Sequence, residues 1–409
     1  MPIFNQIVSL VESRLNRRKR NLAWLSFSYA FRQIAGNLSV FYLPLFLFQI
    51  AQEASFGSFE LTPIQRGLVM ISSFYLLERL VAAILSMLQA KFSIKVGHDW
   101  SMVMGTIFYA LFLLSLSYLE SHPWWVILSG FLAGVQLVFY WPSYNTLVAR
   151  FSFKKHMGKS LGGLGFLQNF SSMITPALGG LIIVFFGYNV LFFSGIFLLL
   201  ISLIGVFQLE LSREKDEVNI NEYLEWMREK SFKRLAVSQS GKYFYDMSIV
   251  LWPLYVFLLL GDVEKVGYVY SFSIFLAMLV SLLAGFILDK KRKTKKPFYF
   301  SGGFLSSLSL IRVLVLNVWG VVIVDSFSRV VGNFHWLFND KIIFSRSKGS
   351  QDFSFFVYNA FNRSVAATVY WFLLLIFFFL VPVEWTGLFV LGSAGVLLSL
   401  FVQESKDQD

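Results

Sequence analysis

The amino-acid sequence predicts an all-α, polytopic membrane protein with twelve transmembrane helices in two six-helix bundles. Three observations lead to this fold class. The 409 residues are 56% hydrophobic and only 14% charged, whereas a soluble domain has about 25% charged residues. Apolar runs of about 20 residues, the length of a helix that crosses a bilayer, recur along the chain. A segment near the start of the chain also returns about half a chain length later.

The repeat can be read directly from the residues. The segment 37–48 (NLSVFYLPLFLF) returns as 246–257 (DMSIVLWPLYVF). Ser39, Pro44, Leu45 and Phe48 align with Ser248, Pro253, Leu254 and Phe257. A membrane protein built from two repeated halves usually places its binding site between them. The repeat therefore favours transport before any catalytic residue is considered.

Each of the twelve elements is an apolar segment bounded by charged or turn-forming residues. We predict spans near residues 22–50, 63–90, 100–119, 123–148, 160–186, 188–208, 236–260, 265–288, 298–317, 319–340, 353–380 and 385–402. They are expected to be helices, because lipid offers no hydrogen-bond partners to exposed backbone groups. Span 1 resembles a secretory signal in its basic start, but it carries Arg32 and Gln33 and lacks a small-residue cleavage site, so it is interpreted as a retained helix.

The net charge of +11 is explained by topology. With the amino terminus in the cytoplasm, 27 of the 35 Lys and Arg residues lie on the cytoplasmic side, six lie within spans, and two, Arg66 and Lys265, lie outside. This is the asymmetry of the positive-inside rule. It argues against a nucleic-acid partner and predicts cytoplasmic termini, with the plasma (inner) membrane as the expected location. The chain has no cysteine and hence no thiolate metal site.

A polar linker separates the two predicted bundles. We assign residues 1–209 to the amino-terminal bundle, 210–235 to a cytoplasmic linker and 236–409 to the carboxy-terminal bundle. Apolar residues in the linker recur at near-helical spacing, which predicts a short amphipathic helix on the membrane surface. Its high charge density leaves a partly disordered tether as the alternative.

The loop after span 8 carries the most specific local motif. Gly285 is followed by three other residues, then by Asp289 and by the basic run that starts at Lys290. This sequence resembles the cytoplasmic loop motif of the major facilitator superfamily, although Arg292 replaces its second glycine. Twelve spans, parallel half-repeats and a central linker resemble the same superfamily over nearly the whole chain. The resemblance implies a gating role for Asp289 and Lys290, since an acid at a helix end can bond the positive N-terminus of a neighbouring helix.

Polar residues inside the spans are the candidate site. A charge at mid-span costs about 2.5–3.5 kcal/mol, so it needs a partner or water. We predict substrate contacts from Arg32, Gln33, Asn37, Gln136, Tyr140, Asn145, Asn169, Lys242 and Arg363, and ion coupling at Asp246 and Glu78. Asp325 and Arg329 are four residues apart, which predicts a structural pair on one helix face. Arg312 is expected to extend toward the outer membrane surface, and His335 to make a helix contact.

The resemblance and the intramembrane charges predict a secondary transporter that works by alternating access. Bases outnumber acids five to three in the spans that would surround the cavity, which favours an anionic or zwitterionic solute, with protons or another ion as a possible coupling partner. We expect a monomer in the lipid bilayer without cofactor or metal. An exporter of lipophilic compounds is the alternative. A membrane enzyme or receptor is a weaker one, because the chain lacks the usual catalytic and metal-binding motifs.

Overall fold

The computed structural model describes residues 2–53, 61–152, 157–211, 217–288, 295–347, 352–381 and 385–402. Every regular element in these ranges is a helix, as predicted. The helices are α1 (Pro2–Ser39), α2 (Leu43–Glu53), α3 (Pro63–Val96), α4 (His98–Leu116), α5 (Trp125–Phe151), α6 (Met157–Phe207), α7 (Ile220–Trp226), α8 (Lys230–Val250), α9 (Trp252–Leu260), α10 (Val263–Leu288), α11 (Lys295–Ile311), α12 (Val318–Arg346), α13 (Asp352–Leu380) and α14 (Trp385–Ser399). The expected gate residues Asp289 and Lys290 lie outside the described residues.

These helices supply the twelve spans. Span 1 consists of α1 and α2, spans 2 to 4 are α3 to α5, and α6 contains spans 5 and 6. Span 7 consists of α8 and α9, and spans 8 to 12 are α10 to α14. The bend in α6 is at Gly187, whose φ of 80° is a backbone conformation that glycine adopts without steric cost. Within the described residues, seven helical segments are long and apolar enough to cross a membrane, and Gly163–Phe207 contains two spans.

The sequence repeat is also a structural repeat. Span 1 is interrupted at residues 40–42 and span 7 at Leu251, in each case just before the helix that begins with Leu43-Pro44 or Trp252-Pro253. Proline has no N–H to donate to the preceding turn and disfavours helical backbone in the residue before it, so it suits a helix start. The two aligned prolines therefore break the two spans at the same place.

Each half packs its first span against its last through the same pair of residue types. A Cβ added to Gly195 of span 6 would lie 2.9 Å from the Ser39 hydroxyl, and one added to Gly392 of span 12 would lie 2.9 Å from the Ser248 hydroxyl. Each serine in turn donates to the carbonyl one helical turn earlier, to Ala35 at 2.5 Å and Phe244 at 2.9 Å. Small residues allow this close helix approach in a membrane protein.

The two halves contact each other through spans 2 and 11 and through spans 5 and 8. On the side of the membrane opposite the termini, the rings of Phe41 in span 1 and Tyr270 in span 8 lie 4.9 Å apart. There the Ala177 amide also donates to the Ser271 hydroxyl at 3.0 Å. On the side of the termini, the rings of His98 and Phe353 lie 4.7 Å apart. The two halves are thus in contact near both ends of the interface.

The linker forms a helix that packs on span 11. The Tyr358 hydroxyl donates to the Asn219 carbonyl at 2.8 Å, and the Tyr223 hydroxyl donates to the Asn362 side chain at 2.8 Å. Tyr223 is buried, whereas Ile220 and Leu224 on the other face of α7 are each 51% exposed. The linker helix α7 therefore buries its tyrosine against span 11 and leaves two aliphatic side chains exposed.

Candidate functional site

Arg32 lies inside the amino-terminal half with neutral partners. It is only 2% exposed, and its guanidinium donates to the Gln136 side chain at 2.5 Å and to the Thr106 hydroxyl at 3.3 Å. Its Cζ also lies 3.6 Å from the centre of the Tyr140 ring and 4.7 Å from that of Tyr109. Arg32 forms no salt bridge with any carboxylate of the described residues. Its charge is therefore held by neutral hydrogen bonds and aromatic faces.

The remaining predicted amide residues are dispersed. The Asn37 amide donates to the hydroxyls of Ser171 and Ser172 at 3.1 and 2.9 Å, which joins span 1 to span 5. Gln33, Asn145 and Asn169 are half-buried, and their side chains form no hydrogen bond with other described residues. The structure thus brings Gln136 and Tyr140 to Arg32, but it does not gather all nine predicted substrate contacts around one point.

Lys242 has a partner that the sequence analysis did not select. Its Nζ lies 3.0 Å from Asp340 Oδ1 in span 10, and it also faces the Trp336 ring at 5.3 Å. Asp246 lies one helical turn from Lys242 on span 7, but Lys242 forms its salt bridge with Asp340. Asp340 is the last residue of the predicted span 10, and only the packing of span 10 against span 7 brings it to Lys242.

Asp246, the predicted coupling residue, has no fixed ionic partner. It is half-buried in span 7 and makes neither a hydrogen bond nor a salt bridge among the described residues. The charges that act on it come from Lys242, Arg363, Asp340 and Arg79. The charges that act on its carboxylate are therefore mainly positive. Among the described residues, no base forms a salt bridge with it.

The ring of Tyr243 lies where spans 2, 7 and 11 meet. Arg79 of span 2 places its Cζ 4.8 Å from the ring centre, and Arg363 of span 11 places its Cζ 5.5 Å from the same centre. Arg79 also lies 3.2 Å from the carboxylate of the adjacent Glu78. Tyr243 is 4% exposed. One buried ring from the carboxy-terminal half thus contacts a guanidinium from each half.

An aromatic layer lies beside this junction, toward the side opposite the termini. The rings of Tyr75 and Trp371 are stacked, with centres 4.8 Å apart and planes 14° apart. The Trp371 indole donates to the Met247 sulfur at 3.0 Å. Tyr75 precedes Arg79 by one helical turn and Met247 follows Tyr243 by one turn, so this layer separates the charged residues from the opposite side.

Arg312, Asp325 and Arg329 form a second buried charge cluster. Arg329 Nε lies 2.6 Å from Asp325 Oδ2, as expected from their spacing on α12. Arg312 lies 4.0 Å from the other oxygen of Asp325 and is only 2% exposed. The prediction that Arg312 extends to the membrane surface is wrong. The chain forms a 3₁₀ turn at Arg312–Leu314. The guanidinium of Arg312 lies beside the Asp325 carboxylate instead of extending to solvent.

Comparison with known proteins decides the family. A model of the Major Facilitator Superfamily matches residues 25–367. The chain belongs to this superfamily. Its structure is also similar to that of a bacterial homologue of the iron transporter ferroportin, in an outward-facing state with soaked iron, with a TM-score of 0.66 and 14% sequence identity over 93% of this chain and 98% of the other. At this identity the similarity shows the fold. No curated protein matches the sequence.

Membership of the Major Facilitator Superfamily makes the chain a multi-pass integral membrane protein and a secondary transporter of a small solute. Superfamily members open their helix bundle alternately to the two sides of the membrane. The buried charges of this chain lie inside that bundle. The charged residues around Tyr243 lie between the halves, whereas Arg32 lies among spans 1, 3 and 4.

Sequence reasoning selected Tyr140 but missed the other aromatic residues of the site. Tyr243, Tyr109 and Trp336 each lie against a buried cation, and none was among the predicted contacts. The sequence signal that could have indicated these rings is the 18% aromatic content combined with basic residues inside the spans. His335, by contrast, makes the expected helix contacts, with hydroxyls of Ser301 at 3.2 Å and Ser399 at 2.8 Å.

Proposed function

We propose that this transporter carries a solute with negative charge, such as an organic anion, a phosphate ester or a zwitterion with an exposed carboxylate. One observation carries the proposal: the guanidinium groups of Arg32 and Arg363 form no salt bridge with any carboxylate of the described residues. Arg32 has neutral partners and Arg363 has an aromatic ring. A buried charge without an opposite charge is costly, and an anionic solute would supply that charge.

The wider charge balance supports the same solute class. Within the spans, the bases are Arg32, Arg79, Lys242, Arg312, Arg329 and Arg363, and the acids are Glu78, Asp246, Asp325 and Asp340. Salt bridges engage Arg79, Lys242, Arg312 and Arg329. The four paired bases share three acids, because Asp325 faces both Arg312 and Arg329, so two arginines and one acid, Asp246, are left without a salt bridge among the described residues and the net surplus is two positive charges. Surplus positive charge in a site of low dielectric attracts anions.

A second candidate function is export of lipophilic cations. Asp246, without an ionic partner, together with the rings of Tyr243, Tyr75 and Trp371, favours this alternative, because aromatic faces attract cations. Iron transport, the activity named for the ferroportin relative, has less support here. The described residues contain no group of three or more His, Cys, Asp or Glu side chains that could hold a metal ion.

A thermal-shift screen of the purified chain tests the solute class. We expect stabilisation by anionic compounds and a loss of affinity of roughly 10- to 150-fold in Arg32→Gln or Arg363→Gln, because a charged hydrogen bond contributes about 1.5–3 kcal/mol. Arg228→Gln, an exposed change in the linker, is the matched control. Stabilisation by lipophilic cations alone, unaffected by either substitution, would establish the second candidate instead.

We also propose that Asp246 binds the coupling ion and that this ion is a proton. Glu78 is the next candidate for the same role. A carboxylate without a fixed partner can accept a proton without breaking an ion pair, whereas Glu78 is already beside Arg79. In sealed vesicles, Asp246→Asn should retain solute binding but lose accumulation driven by a pH gradient. Unchanged accumulation in that variant would assign Asp246 a structural role. Saturable solute movement without chemical change would also distinguish transport from an enzymatic activity.

A further inference from the structure

The junction at Tyr243 brings two guanidinium groups of like charge to one ring. The Cζ atoms of Arg79 and Arg363 lie 4.8 and 5.5 Å from the ring centre, so they are within about 10 Å of each other. Arg79 belongs to span 2 of the amino-terminal half and Arg363 to span 11 of the carboxy-terminal half. One cation from each half therefore lies beside the same ring, at the interface that must open and close during transport.

The partners of these cations are incomplete. Arg79 Nε and Glu78 Oε2 are 3.2 Å apart, but both atoms are buried and neither has a hydrogen bond of acceptable geometry. Arg363 has no carboxylate among the described residues. Guanidinium groups present planar forks of donors that match a carboxylate or a phosphate. Among the described residues, Glu78 is the one acid in a salt bridge with either guanidinium, and the charge of Asp246 acts on both from a greater distance.

We propose that Arg79 and Arg363 form a clamp that binds one carboxylate or phosphate group of the solute, with the Tyr243 ring as its base. This inference rests on the proposed function and deepens it, since it names the residues that hold the anion. An anion between the forks would bond a residue of each half at the same time. Occupancy would then stabilise the state in which spans 2 and 11 are close, because a ligand favours the state in which it makes more contacts.

The neighbouring residues suit this role. The stacked Tyr75 and Trp371 rings, with Met247, close the junction toward the side opposite the termini. They exclude water from that side of the clamp, and a charge-assisted hydrogen bond is stronger where water is excluded. Arg32 lies outside the clamp, among spans 1, 3 and 4, and is left to bond another polar group of the solute.

The test measures binding of inorganic phosphate, succinate and tetraphenylphosphonium to the purified full-length chain by thermal shift. For the anion that stabilises the unsubstituted protein, Arg79→Lys and Arg363→Lys should each weaken binding at least about tenfold, because the fork is lost while the charge remains. The double variant should weaken it by less than the product of the two single effects, since both residues contact one group. Tyr243→Phe should bind as before, and Tyr243→Leu should bind more weakly.

Arg329→Lys is the matched control. Arg329 also lies over a tyrosine ring, 5.1 Å from the centre of Tyr270, and is also paired with an acid on its own helix. This variant should melt at a lower temperature but keep the ligand-induced shift. If an anion stabilises the protein and the Arg79 and Arg363 variants bind it with unchanged affinity, the clamp is wrong while the solute class stands. If neither phosphate nor succinate stabilises the protein and tetraphenylphosphonium does, both proposals fail.

Discussion

At the scale of single residues, the buried charges divide into those with an ionic partner and those without. Lys242 is bound to Asp340, and Asp325 lies between Arg312 and Arg329. A buried ion pair seldom adds much stability over apolar packing, but removal of one member is costly because the other is left without a partner. The paired residues are therefore expected to affect stability first and transport second.

Asp325→Asn tests this distinction. The change leaves Arg312, which is 2% exposed, and Arg329 without a negative partner, so we expect a loss of about 3–5 kcal/mol in the free energy of unfolding. Denaturant or thermal unfolding in detergent would measure it, with Glu225→Gln in the exposed part of the linker as the control. A variant of normal stability that had lost transport would instead place Asp325 in the solute or coupling site.

Lys242 gives a second test at this scale. A double-mutant cycle with Lys242→Gln and Asp340→Asn should show a coupling energy of about 0.5–1 kcal/mol, a modest value because the Asp340 side chain is 41% exposed. The equivalent cycle with Asp246→Asn should give a smaller coupling. A larger coupling to Asp246 would mean that the two residues of span 7 pair with each other and that Asp340 is peripheral.

At the scale of helices, contacts through small residues set the spacing of the spans. Gly241 of span 7 and Gly395 of span 12 approach so closely that a Cβ added to Gly395 would lie 2.6 Å from the Gly241 carbonyl oxygen. In the other half, Gly205 of span 6 makes the corresponding contact with span 1. A Cβ added to Gly205 would lie 2.6 Å from the Trp24 carbonyl oxygen. Each half therefore holds its first and last spans together by backbone approach that a side chain would prevent.

Gly395→Ala should accordingly cost about 1–3 kcal/mol in the free energy of unfolding, the range for overpacking a close contact. Gly303→Ala is the control, since a Cβ at Gly303 meets nothing within 4 Å. That change should stabilise α11 slightly, because alanine loses less backbone entropy than glycine on folding. Equal stability of the two variants would show that the crossing of spans 7 and 12 can widen without cost.

At the scale of the whole molecule, the even number of spans places both termini on the same side of the membrane. The distribution of Lys and Arg predicts that this side is the cytoplasm. Because the chain has no cysteine, single cysteines can report the topology. Ser121→Cys, in the exposed turn between α4 and α5, should react with an impermeant maleimide in intact cells. Arg228→Cys, in the linker, should react only after permeabilisation. The reverse pattern would invert the predicted orientation.

The sequence by itself determined the fold class, the span count and the repeat. These depend on hydrophobic length and on local backbone chemistry, such as the aligned Pro44 and Pro253, which break spans 1 and 7 wherever the rest of the chain lies. It also identified most of the charged residues of the site, because a charge inside an apolar run stands out regardless of its partner.

Only the tertiary structure decided which charges meet. Asp340 reaches Lys242, Arg312 turns inward to Asp325, and Arg79 and Arg363 converge on Tyr243. These contacts join residues that are far apart in the chain, and helical periodicity fixes only neighbours within one helix. Partner choice between helices depends on how the helices are rotated and crossed, which the packing of small residues and aromatic rings sets across the whole bundle.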